Sequence, residues 1–185
     1  MELNPEDFKR ILPLPVTLIT TMDSMGVANG APYGCVMPIL RPFDLIALAS
    51  APPRDTLRNI RETGEFIVNV VGRPSFKKAM RCAKAYPAGV DEMKEVELAV
   101  TPARKVRPPR MKDAVGWIEC QLEREVTEER YVLIIGRVLC AEINDDYMKN
   151  GDLEEFPLVM VPPRFRLVGE TYADRNEFQE IISSH

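Results

Sequence analysis

The sequence predicts a mainly β protein, a barrel decorated by a few short helices. Three observations lead there. Six or so segments are strand-like, rich in β-branched and aliphatic residues and bounded by Gly, Pro, Asp or Asn. The helical patterns between them are few and short, so the regular βαβ rhythm of a doubly wound sheet is missing. Two of the runs, residues 114–127 and 130–145, are long and read as a hairpin joined at Glu128–Glu129.

Each element follows from local signals. "NPEDFKRIL" (4–12) reads as a short helix, with Asn4 as cap, Pro5 at the first position, and Glu6 and Asp7 at the positive end. "VTLITTM" (16–22) is a strand. "DSMG" (23–26) is a turn, Gly26 supplying the unusual dihedral, so "VANGAPYGCVMPI" (27–39) returns as the hairpin partner. Gly30, Pro32 and Gly34 interrupt that partner and mark a bulge or a close approach to bare backbone. "FDLIALAS" (43–50) is apolar enough to be buried on both faces. A helix opening at about Asp55, with Asp55 capping it, ends at Gly64, and "FIVNVV" (66–71) follows as a strand in which Asn69 satisfies neighbouring backbone.

"SFKKAMRCAKAY" (75–86) is helical with Ser75 as cap. The proline-rich, charged segment 87–113 holds a short helix at Asp91 and then extended connections. Its basic run, Arg104, Lys105, Arg107 and Arg110, reads as a solvated face, because no aromatic residues interleave with it. The tail from Phe156 gives one or two short strands and a terminal helix. No repeat, low-complexity tract or domain boundary is visible, so residues 1–185 form a single domain.

Composition narrows the function. The chain has 185 residues, 45% apolar and 28% charged, the profile of a globular protein with a real core. A net charge of -4 argues against nonspecific nucleic-acid binding. No apolar run is long enough for a membrane helix and the start has no signal-like apolar region, so the expected location is the cytoplasm. Cys35, Cys82, Cys120 and Cys140 form no CxxC pair, and His185 is the only histidine. Zinc ligation and Ser-His or Cys-His nucleophiles therefore have little to work with. Chemistry here rests on carboxylates, lysines or a borrowed cofactor.

The stretch "ASAPPRDTLRNIRETGEF" (49–66) suggests which cofactor. A helix start carries unpaired N–H groups and partial positive charge, and so attracts phosphate. Arg54 adds a forked cation and Thr56 a hydroxyl; Ser50 and Ala51 are small enough to admit a ligand; Pro52 and Pro53 hold the approach rigid. The plainer alternative is a helix capped by Asp55 beside a surface arginine. In a meander, "NGAPYGCVM" lies beside "ALASAPPRDT", bringing bare backbone to the edge of a flat heterocycle. No GxGxxG follows a strand and no P-loop is present, so a mononucleotide such as FMN suits the two features best.

"PVTLITTMDSMGVANGAPYGCVMPI", "LASAPPRDTLRNIRETGEFIVNVV", "PAGVDE" and "RPPRM" resemble the flavin reductase-like family of FMN-binding split barrels, which includes flavoredoxins. The resemblance covers most of residues 12–145 and implies a homodimeric split β-barrel with FMN near the dimer interface. It implies that Asn29 and the backbone of Tyr33, Gly34, Cys35 and Val36 meet the flavin ring or ribityl chain. Ser50, Ala51, Arg54 and Thr56 then hold the ribityl and phosphate end, with Asp55 still capping, and Lys84 adds charge near the phosphate. Cys35 is expected as a small buried residue under the ring rather than a redox thiol. Trp117 and the methionines are expected in the core. The tail "PLVMVPPRFRLVGETY" departs from the glycine-rich segment familiar in such proteins, leaving the parts played by Phe165 and Tyr172 open.

Two functions are carried forward. One is an oxidoreductase, either an NAD(P)H-dependent flavin reductase or a flavoredoxin-like carrier, fed by a nicotinamide nucleotide or a redox protein and needing no obligatory protein acid or base. The other is a non-enzymatic FMN store or sensor.

Overall fold

The computed structural model of the chain describes residues 2–39, 41–87, 89–169, 171, 176, 177 and 179. Its main sheet has seven strands: β1 (Thr17–Met22), β2 (Ala28–Tyr33), β3 (Val36–Pro38), β4 (Leu45–Ser50), β5 (Glu65–Val70), β6 (Gly116–Thr127) and β7 (Val132–Ile143). The helices are α1 (Asp55–Thr63), α2 (Arg73–Arg81) and α3 (Glu92–Glu95), with a 3₁₀ turn at Pro5–Arg10. The strand order is β2-β1-β5-β6-β7-β4-β3, every pair antiparallel.

That order contains the main feature of the fold. β2 and β3 stand at opposite ends of the sheet, yet only Gly34 and Cys35 separate them in the chain. The sheet must therefore curl until its two edges nearly meet, which makes a barrel open along one seam. The expected single strand 27–39 is thus two strands, and the chain crosses the seam at Gly34–Cys35. The expectation that 29–37 runs beside 47–56 needs the same correction. β2 pairs with β1 in register Thr20↔Gly30, and only β3 pairs with β4, in register Val36↔Leu48.

Local chemistry explains most boundaries. The β1–β2 turn is tied by Asp23, whose Oδ1 accepts from Met25 N–H at 2.9 Å and Val27 N–H at 2.8 Å, while Gly26 takes φ +86°. α1 stops at Gly64, which adopts φ +71° and donates to the Ile60 carbonyl at 2.8 Å. Asp91 caps α3 by accepting from Lys94 N–H at 3.2 Å. The β6–β7 connection runs through residues 128–131, closed by a Glu128 N–H to Tyr131 carbonyl bond of 2.9 Å.

Two other caps are not as expected. Asn4 precedes a 3₁₀ turn rather than an α-helix, and its carbonyl, not its side chain, accepts from Asp7 N–H at 2.8 Å. Ser75 is buried inside α2, which begins after Gly72. Distant Glu155 takes the capping role there, accepting from Arg73 N–H at 2.9 Å and pairing with its guanidinium at 3.0 Å.

β1 divides the core, because its alternate residues face opposite ways. Ile19 packs inside the barrel with Leu48, Leu57, Ile60, Phe66 and Ile134. Leu18 packs outside it with Val71, Ala79, Met93 and Met111, beneath α2 and α3. Asn69 behaves as its sequence suggests, donating to the Leu18 carbonyl at 2.9 Å and accepting from Met111 N–H at 2.7 Å. Trp117 is half-buried, donating to the Met111 carbonyl at 2.8 Å.

The basic run is only partly a solvated face. Arg110 is buried, paired with Glu119 and Glu142 and stacked 4.9 Å from the Trp117 ring centroid. Arg104 and Arg107 remain exposed, pairing with Glu142 and Glu65 at 2.8 Å each. Arg110 goes inside because β6 and β7 offer it two carboxylates in apolar surroundings, a partnering the linear order does not reveal.

The tail forms strands at Leu158–Val161 and Arg164–Leu167, the first pairing with Leu14–Pro15. Phe165 meets Phe76 edge-on at 4.8 Å. Tyr172 and His185 lie outside the described residues, as does most of the expected terminal helix.

Candidate functional site

An open cleft of about 810 Å³ lies between the start of α1, strand β2, the segment after α2, and α3. That volume falls within the roughly 300–1,000 Å³ typical of small-molecule sites. Of the residues singled out in the sequence, Asn29, Tyr33, Ala51, Arg54, Thr56 and Lys84 line it.

The start of α1 forms one wall. Arg54 stands at the N-cap position with extended backbone (φ -139°, ψ 141°), and no side chain among the described residues caps the helix. Asp55, expected as the cap, instead pairs with Arg58 one turn on, at 2.6 Å. The (i, i+3) attraction of a guanidinium draws this carboxylate along the helix rather than back over its end. The N–H groups of the first turn are thus left for an incoming acceptor, and the competition that Asp55 posed for an anion is lifted.

Behind this start lies a buried polar layer. Thr56 is 1% exposed, and its Oγ1 accepts from Asn29 Nδ2 at 3.1 Å. Asn29 also donates to Thr21 Oγ1 at 3.3 Å, which accepts from Asn59 Nδ2 at 3.2 Å. Because its acceptor side is engaged by Asn29, the Thr56 hydroxyl keeps a proton to donate. β1, β2 and α1 meet here, so three separate stretches of sequence set one hydroxyl.

Tyr33 closes another side. Its hydroxyl meets Ser50 Oγ at 2.8 Å, linking β2 to β4 across the seam. Ser50 itself is buried and lies off the cleft lining. Gly34, Cys35 and Val36 are also off the lining: Val36 belongs to the barrel core, and Cys35, expected to be buried, is exposed where the chain crosses the seam.

Lys84 and Tyr86 border the cleft after α2, the ammonium 5.7 Å from the ring centroid. Cys82 lies there too. Burial, reinforced by the charges of Glu92 and Asp91, pushes its thiol up to about 12, which keeps it protonated and unreactive.

The cleft also holds residues not expected from the sequence. Arg58 is one helical turn beyond Arg54, so (i, i+4) spacing was a usable signal. Glu92 had none. It reaches the cleft because α3 packs on β2, where a Cβ on Gly30 would stand 2.8 Å from Met93 Cγ. Its carboxylate accepts from Gly30 N–H at 3.2 Å. Burial raises its pKa above the ordinary carboxylate range; its own and Gly30's N–H groups oppose the rise, and Asp55 and Asp91 add to it.

Comparison with known proteins agrees with this architecture. The chain matches the flavin reductase like domain over residues 8–168. An uncharacterised protein of Methanothermobacter thermautotrophicus is 40% identical over 185 residues, covering 94% of this chain and 87% of that protein. Among solved structures, a flavoredoxin from Methanosarcina acetivorans has a TM-score of 0.82 at 21% identity, covering 98% of both chains. Nitrilotriacetate monooxygenase component B from Bacillus cereus has 0.80 at 24%, covering 94% of this chain and 98% of that one. At those identities the likeness is one of fold, the split barrel that the strand order describes. With the family match spanning nearly the whole barrel, the chain belongs to the flavin reductase like family, whose chemistry is flavin-dependent reduction or electron transfer.

Proposed function

We propose that the cleft binds FMN and that the protein is an oxidoreductase working through it, either an NAD(P)H:flavin reductase or a flavoredoxin-like electron carrier. The observation that carries this is the uncapped start of α1, set in the cleft with a buried hydroxyl and an arginine beside it. The fit to a flavin mononucleotide rests on the donor set. Thr56, Arg54 and the first-turn N–H groups suit one phosphate, with Lys84 as a further cation. Asn29 and Tyr33 are assigned to the ring and ribityl chain, with Ala51 at the ribityl end, while Ser50, off the lining, holds the Tyr33 hydroxyl. When bound, the flavin supplies hydride and electron transfer. The chain's own residues bind, orient and desolvate it, and no side chain is required as acid or base.

We infer further that the working unit is a homodimer. Met37, Phe43 and Leu139 are exposed by 63%, 51% and 39% on or beside neighbouring strands β3, β4 and β7, more apolar surface than an isolated barrel edge favours.

The test is direct. Purified protein should be yellow, release FMN rather than FAD on denaturation, and bleach anaerobically on addition of NADH, NADPH or a reduced redox protein. Recovery of FAD, or no flavin affinity, overturns the cofactor. Bound FMN that no donor bleaches favours the storage or sensor reading instead.

A further inference from the structure

We propose that Glu92 holds a proton when the cleft is filled, so that a phosphate-bearing ligand binds together with one proton taken up from solvent onto this carboxyl. The inference rests on the phosphate reading of the cleft and adds a residue to it.

The geometry is specific. Glu92 is 8% exposed and lines the same cleft as Thr56 and Arg54. It reaches there from α3 through Gly30, the residue after Asn29, whose amide bonds Thr56. A carboxylate at such a place has unfavourable neighbours of two kinds, resident acids and an arriving anion. Asp55 and Asp91 are the acids whose charges act on it. Asp55 is neutralised by Arg58, and Asp91 by Lys94 at 3.1 Å. Among the described residues no cation forms an ion pair with Glu92, since Arg58 is engaged with Asp55 and Lys84 lies over Tyr86. The Cys82 thiol, which feels the Glu92 charge, is protonated throughout the neutral range, and Tyr33 and Tyr86 line the same cleft. Arg54 and Lys84 are the cations that line the cleft without an ion pair among the described residues, and both are exposed.

An incoming phosphate brings negative charge into this low-dielectric wall. It repels an ionised Glu92 and stabilises a neutral one, which can also donate a hydrogen bond. Burial already moves this carboxyl toward neutrality in the free protein. The sign follows from linkage: if the bound state carries one more proton, affinity falls as pH rises, by up to tenfold per pH unit between the free and bound pKa values of Glu92. The ligand's own phosphate titrates near pH 6 and favours the arginine bed as a dianion, an effect in the opposite direction.

The experiment measures FMN affinity by fluorescence quenching from pH 5.5 to 8.5 for the wild type and Glu92→Gln, with riboflavin alongside. The amide still accepts from Gly30 N–H, so the α3–β2 contact is kept. Expected is a wild-type FMN affinity that falls with pH relative to the variant, the two differing in slope by about one proton, while riboflavin shows no such difference. Calorimetry on the wild type alone, in two buffers of different ionisation enthalpy, should show proton uptake on FMN binding between the free and bound pKa values of Glu92, once the release expected from the ligand phosphate near pH 6 is subtracted. This keeps the proposal testable should the variant fail to fold. Equal pH slopes, or no proton uptake, overturn the role of Glu92 while leaving FMN binding intact. Absence of flavin binding at every pH instead removes the phosphate reading itself, and the inference with it.

Discussion

Arg54 and Thr56 sit side by side at the start of α1, but their substitutions should be felt differently. Arg54 is exposed and unpaired among the described residues, so Arg54→Ala should leave the melting temperature almost unchanged. Thr56 is buried and receives the Asn29 amide, so Thr56→Val also strands a donor and should cost about 1–3 kcal/mol of stability. Both should weaken FMN by about one to two powers of ten while hardly changing riboflavin, which has the same ring without the phosphate. Arg54→Lys should recover only part of the loss, because a point charge lacks the fork. An FMN-to-riboflavin affinity ratio that neither substitution alters would place the phosphate elsewhere. Glu119 supplies a second residue-scale expectation, this time in pH. Its burial raises its pKa, but bonds from Arg104 N–H (2.9 Å), Lys105 N–H (2.6 Å) and the Arg110 side chain outweigh this and hold it below the usual range. Stability from this group is therefore present above the unfolded carboxylate pKa of about 4.3 and is lost as pH falls through the lower folded value. Glu119→Gln should cost about 3–5 kcal/mol at pH 7, since it leaves buried Arg110 undercompensated. The gap from the wild type should narrow steadily below pH 4 in urea titrations; a constant gap would contradict the pairing.

At the scale of elements, two glycines test two kinds of constraint. Gly64 ends α1 with φ +71° and open space where a Cβ would go. Gly64→Ala should therefore cost about 1–2 kcal/mol through backbone conformation alone. Gly64→Asn should cost less, since asparagine tolerates this region. Gly136 in β7 has ordinary backbone but no room: a Cβ there would lie 2.4 Å from Phe66 Cζ, on a ring that is fully buried in β5. Gly136→Ala should be destabilising by overpacking, about 1–3 kcal/mol, and Phe66→Leu should relieve part of that in the double variant. Thermal melts of the four proteins separate the cases: strictly additive effects at Gly136 and Phe66 would refute the steric account. The first glycine was legible, because a helix pattern followed by Gly is a local signal. The second was not, since it reflects β5 and β7 flanking a bulge of β6 at Glu123, where the curled sheet brings Phe66 against Gly136.

For the whole molecule, the expected assembly is a dimer at micromolar concentration by sedimentation. Met37→Asp together with Phe43→Asp should shift it towards monomer and lower FMN affinity together, if the site is shared. A monomeric wild type holding FMN tightly would refute the shared pocket. Much of the site was readable in advance where one segment carried it: residues 49–66 contain Ala51, Arg54 and Thr56, and all three line the cleft. Glu92 and Tyr86 were not readable, because they arrive there only through packing of α3 and the segment after α2 against β2.

Chain order alone settles what neighbouring residues can decide. β-branched runs made strands, Asp23 and Gly26 made a turn, Asp91 capped a helix and Gly64 ended one, since each of those energies is settled within a few residues. Tertiary structure alone decided which edges meet. It sent β2 and β3 to opposite ends of one sheet and replaced Ser75 by Glu155 as the cap of α2. It also drew Arg110 inside and exposed Cys35. Each of these outcomes depends on what a distant segment brings: a carboxylate or an apolar face to cover. Those partners become neighbours only when the sheet has curled, so no local pattern could announce them.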